Sequence, residues 1–193
     1  MPNGGPPAVL RLFLIAAVCS DCLFAGLLED TRVPLNLVRQ RSFPELAGAE
    51  VRIRAFHSQT DFFRSRFSFS RFFVPAKLPY VVSVNPMIEG RALPPDAEYA
   101  ILAHELAHIL QYSRGSRLRL AGLIRLSHSG AYSRWEKQAD LEAIQRGYGV
   151  GLAAYREWLY KQIPPAAMAA KKRTYYTPEE IRRLSAQLAP NLH

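Results

Sequence analysis

The chain reads as a single α+β domain with a small sheet, one buried helix and a helical C-terminal part. Three observations predict it. Residues 51–56 and 80–85 are short and patterned like strands. Residues 100–112 are dominated by Ala, Leu, Ile and Glu, with no Gly or Pro between Asp96 and Ser113. From residue 133 onward, helical segments alternate with Gly and Pro breaks. A chain of 193 residues that is 49% hydrophobic suffices for one domain with its own core, and it contains no internal repeat.

The N-terminus differs from the rest. Residues 8–18 are an apolar run, and a second run, 23–28, follows Asp21. Val18 and Ser20 are small residues ahead of a cut before Asp21, as in a secretory signal. An uncleaved membrane anchor from about Ala8 to Leu28 is the alternative, made costly by Arg11 and Asp21. A buried N-terminal helix is the third. Residues 1–28 are expected to be a signal peptide or N-terminal membrane anchor. Residues 29–193 are then an extracytoplasmic domain: secreted, periplasmic or membrane-anchored. Cys19 and Cys22, the only cysteines, form C-x-x-C. A zinc ribbon needs a second pair, and a redox site needs a strand-to-helix setting. The pair is assigned to the targeting segment.

Residues 29–60 read as irregular entry structure followed by a strand, because Pro34 and Pro44 interrupt a long helix. Apolar and charged residues alternate over 51–56, the pattern of a half-buried strand. Phe62, Phe63, Phe67, Phe69, Phe72 and Phe73 are then interleaved with Arg64, Arg66 and Arg71. A strand or hairpin with Phe in the core and Arg outside is favoured over a nucleic-acid or membrane surface. Residues 80–85 are the clearest strand, ended by Pro86. The strand lies just ahead of the buried helix and is expected to be an edge that pairs with an extended peptide. Pro94 and Pro95 prepare the start of that helix.

The buried helix carries His104-Glu105-Leu106-Ala107-His108, an H-E-x-x-H pattern. Residues four apart share one helix face, so both imidazoles can address one metal ion. Glu105 can reach a water on that metal and act as its general base. A catalytic zinc usually keeps three protein ligands and an open position. Glu136, on a second expected helix over 133–140, is the expected third ligand. Asp140, four residues on, is expected to accept a hydrogen bond from the outer nitrogen of a ligand histidine. Ser133 and Glu136 also fit a capping box, which would make that helix start ordinary.

Between the two helices, residues 116–126 are apolar with Arg117, Arg119 and Arg125. They suit a lid over the cleft, or a segment lying on an anionic membrane. His128, Tyr132, Tyr148 and Tyr155 are the candidates for an electrophilic donor. A helix over 152–162 presents Tyr155, Trp158 and Leu159 on one face and stops at Pro164 and Pro165. A basic linker, 171–173, precedes a capping box of Thr177 and Glu180 around Pro178, and a last helix runs to about Leu188.

His104, Glu105, His108, Glu136 and Asp140 together resemble the gluzincin metallopeptidases. In that group, His-Glu-x-x-His on one helix is completed by the Glu of Glu-x-x-x-Asp on the next. The Glu-Lys-Gln-Ala-Asp wording at 136–140 is similar to the E-x-x-A-D helix of M48 peptidases. The resemblance covers roughly residues 78–147 and implies a zincin-like fold, one Zn²⁺ and peptide hydrolysis. The chain departs from the group in being short and in having no histidine between Glu136 and His193 to serve as the usual transition-state donor. A metzincin is disfavoured, since His108 lacks the x-x-G-x-x-H continuation.

The net charge of +9 admits acidic substrates, anionic membranes or nucleic acid. The basic residues are dispersed from Arg32 to Arg183, which favours a solvated surface and disfavours nucleic acid. The expected function is a zinc metallopeptidase acting on a peptide or protein, with an anionic membrane surface as a second partner. The alternatives are a zincin-like scaffold without turnover, or a basic module binding membrane or nucleic acid.

Overall fold

The sheet lies beside a long buried helix, and the remaining helices close around that helix. The computed structural model describes residues 8–68, 78–115 and 130–188, with side chains from residue 25 onward. The order is α1 (Ala8–Ser42), β1 (Val51–Ala55), β2 (Phe63–Phe67), β3 (Tyr80–Val84), α2 (Pro95–Arg114), α3 (Gly130–Ala143), α4 (Gly149–Gln162), α5 (Pro165–Thr174) and α6 (Pro178–Leu188). The fold is mixed α+β, as its patterning predicts.

Strand order among the described residues is β1-β3-β2, with β1 parallel and β2 antiparallel to β3. β1 behaves as a half-buried strand: Val51 and Ile53 are partly buried, whereas Arg52 and Arg54 are exposed. β2 places Phe63 and Phe67 in the core and leaves Arg64 and Arg66 exposed, and Phe62 is also buried. The core reading of the Phe-rich stretch therefore holds for residues 62–67. Phe69, Arg71, Phe72 and Phe73 lie outside the described residues, as do residues 116–126 and His128.

The expectation that 80–85 forms an edge is overturned, because β3 is the central strand. All five of its residues are buried. A strand that is apolar apart from the buried Ser83 has no solvent face to offer and pairs on both sides. β2 is the strand that packs on α2 and ends the sheet.

Residues 29–42 are not irregular but continue α1, with Pro34 inside the helix. A proline removes one backbone donor. Here Leu35 and Val38, 2% and 1% exposed, are buried in the core, and α1 packs on α2. Burial of that face outweighs the lost bond. The helix also crosses the expected boundary at residue 28 without a break. Among the described residues, no helix is long and apolar enough to cross a membrane.

α2 begins with Pro95 at its first position, as expected, and residues 100–110 are all buried. α3 and α4 meet at residues 144–148, where Gly147 adopts φ +89°, a conformation that favours glycine. Gly151 lets α4 approach α2 closely, since a methyl group there would lie 2.2 Å from the Asp96 carbonyl oxygen. The basic stretch 171–173 is the last turn of α5 rather than a linker. Alanines 166, 167, 169 and 170 favour helix, and three cations at its C-terminus suit the macrodipole. The capping box forms: Thr177 N–H donates to Glu180 Oε2 at 2.8 Å, and Glu180 N–H donates to Thr177 Oγ1 at 3.3 Å.

Candidate metal centre

Helical spacing places His104 and His108 one turn apart on α2 with Glu105 beside His104, and α3 packs across them with Glu136 and Asp140. His104, Glu105, His108 and Glu136 are 2–6% exposed, and Asp140 is fully buried. Glu136 Oε2 lies 2.9 Å from His108 Nε2 and 3.4 Å from His104 Nε2. The three ligand atoms fall within 4.8 Å of one another, close enough to hold one metal ion. Glu136 comes from 28 residues beyond His108, so tertiary packing assembles the cluster.

Each histidine has an outer partner. His104 Nδ1 lies 2.8 Å from Asp140 Oδ1, with the ring N–H off the straight line to that oxygen. His108 Nδ1 pairs with Gln111 Oε1 at 3.0 Å. Outer contacts of this kind set which ring nitrogen is left for a metal. Ser133 does not cap α3: it lies within the helix, and its hydroxyl donates to the carbonyls of Arg173 and Thr174 on α5. The acidic pair therefore belongs to the cluster rather than to a helix start.

The electrostatics follow from burial and charge. Burial alone lowers the pKa of the His104 imidazole, but the Asp140, Glu136 and Glu105 carboxylates outweigh it and raise the value to about 9. Burial pushes Glu136 up, yet His108 and His104 hold it well below the ordinary carboxylate range. Asp140 is likewise pushed up by burial and brought below its ordinary value by Arg156 and His104. Glu105 Oε2 is buried with no hydrogen-bond partner among the described residues. An unpaired buried carboxylate oxygen is costly unless something occupies the space before it.

Of the three donor candidates among the described residues, Tyr132 joins the site, where burial and the Glu136 carboxylate hold its phenol well above the ordinary range. Tyr148 is elsewhere, its hydroxyl 2.8 Å from Ser42 Oγ. Tyr155 is buried edge-on against Phe63 and stacked on Trp158. His128 is outside the described residues. Four neighbours escaped sequence reasoning. Trp135 stacks on the His108 ring at 5.8 Å, and Tyr175 lies 6.0 Å from His104. The others are Gln111, whose i+3 spacing from His108 was a usable signal, and Arg156, which had none.

Comparison with known proteins gives no matching family model, no similar curated protein and no similar solved structure.

Proposed function

We propose that this chain is a zinc-dependent metallopeptidase of the gluzincin type, built on a zincin-like fold. The observation that carries the reading is the convergence of His104, His108 and Glu136 in a buried cluster beside the unpartnered Glu105 oxygen. Two nitrogens and one carboxylate oxygen form a ligand set for catalytic zinc. Donor atoms 2.0–2.1 Å from a tetrahedral zinc stand about 3.3 Å apart, which the 3.4 Å between His104 and Glu136 fits. The 2.9 Å pair requires only a small opening.

When bound, zinc supplies a Lewis acid and lowers the pKa of a water to about 7. His104, His108 and Glu136 would hold it. Glu105, through its free Oε2, takes a proton from the water attacking a peptide carbonyl and returns it to the leaving amine. The edge for an extended peptide is β2 rather than β3. It lies on α2, and its Ser65 carbonyl faces the Tyr112 hydroxyl at 3.5 Å. The apolar run before residue 28 supports an extracytoplasmic place of action.

The test compares three proteins for bound zinc and for hydrolysis of an unfolded protein. Wild type is expected to hold one zinc and cleave. Glu105→Gln keeps zinc and loses at least about 10²-fold in rate, and His108→Ala loses both. A fully active Glu105→Gln protein refutes the mechanism, and a zinc-free wild type refutes the site. Zinc binding without turnover in wild type would favour a scaffold.

A further inference from the structure

We propose that Arg156 is a positioning residue of the metal centre, acting through Asp140 to hold the His104 ring in its ligating orientation. The proposal rests on the zinc reading above. Arg156 lies on α4 and is 2% exposed. Its Nη2 is 2.8 Å from Asp140 Oδ1, the same oxygen that faces His104 Nδ1 at 2.8 Å. The other oxygen, Oδ2, accepts the Tyr176 backbone N–H at 3.1 Å. Both carboxylate oxygens are thereby tied, by donors from α4 and from the turn between α5 and α6. Removing Arg156 leaves Asp140 held by the Tyr176 N–H alone, and the oxygen that faces the imidazole loses its anchor.

Two further observations support a role beyond packing. The Arg156 guanidinium rests on the Tyr175 ring at 4.2 Å, and that ring lies 6.0 Å from His104. The arginine is thus wedged behind the ligand from two directions. Its Nε has no hydrogen-bond partner among the described residues, and a buried guanidinium left partly unsatisfied stabilises a fold less than an apolar side chain of similar volume.

The second observation is charge. Among the described residues, the buried acids and cations other than histidine are Glu105, Glu136, Asp140 and Arg156. Three carboxylates and one guanidinium leave a formal charge of minus two, the complement of one divalent cation. Without the arginine, the same pocket would be over-charged for the metal it holds.

Arg156→Met and Arg156→Lys in the full chain test the assignment. The readouts are zinc affinity by competition with a chromophoric chelator, the visible spectrum of the Co²⁺-loaded protein, and the unfolding midpoint without metal. Arg156→Met is expected to bind zinc 10- to 100-fold more weakly and to shift the Co²⁺ bands. Arg156→Lys, which keeps a cation for Asp140, is expected to recover most of the affinity. Wild-type affinity and spectrum in Arg156→Met would overturn the proposal. So would equal losses in both variants that track a common fall in unfolding midpoint. Wild-type protein that takes up no zinc overturns the zinc reading itself, a result distinct from either.

Discussion

His104 is the residue on which the proposed centre turns, because a proton and the proposed metal would compete for its inner nitrogen. Its pKa of about 9 in the metal-free protein, raised from 6.5, means that zinc must displace a proton at neutral pH. Zinc affinity is expected to rise about tenfold per pH unit from pH 7 toward pH 9 and then level off, as measured by chelator competition. Metal-free stability runs the other way. A raised pKa gives a contribution fully present below pH 6.5, lost as pH rises through about 9. Zinc should therefore raise the unfolding midpoint more at pH 9 than at pH 7, and an equal rise at both would contradict the His104 environment described here. His104, Glu105, His108, Glu136 and Asp140 were legible in the sequence because i, i+4 spacing is a local property of helices. Gln111 was equally local and was missed. Arg156, Trp135 and Tyr175 carry no local pattern that links them to His104 or His108.

Among the elements, α2, α3 and β3 formed where their sequence patterns placed them, but β3 did not take the expected edge position. The order in the chain suggested an edge strand, but burial of every residue from Tyr80 to Val84 required partners on both sides. α1 overrode its proline and α5 overrode its basic composition, in each case because packing or helix propensity outweighed one unfavourable feature. The contact of α4 with α2 is close at Gly151, where a Cβ would also come within 2.9 Å of the Ala100 Cβ. Gly151→Ala is expected to cost about 1–3 kcal/mol, measured by denaturant unfolding. Because Arg156 lies one and a half turns further along α4, the same substitution should weaken zinc binding as well. A variant that is as stable as wild type would show that α2 and α4 can separate without cost.

For the whole molecule, the metal is expected to be part of the folding equilibrium. Its proposed ligands join α2 to α3, and Asp140 joins α3 to α4 through Arg156. Zinc at 100 times its dissociation constant should add about 2.7 kcal/mol to stability. Chelation should lower the unfolding midpoint reversibly, and a midpoint indifferent to zinc and chelator would exclude the site. The α+β class, the strand at 51–55, the helix over 95–114 and the capping box at 177–180 were all readable from residue order. They depend on periodicity, propensity and hydrogen bonds within a few residues. Strand order, the passage of α1 through residue 28 and the arginine behind Asp140 were not. They are set by which apolar faces bury against each other across the chain, and no short window of sequence contains that sum.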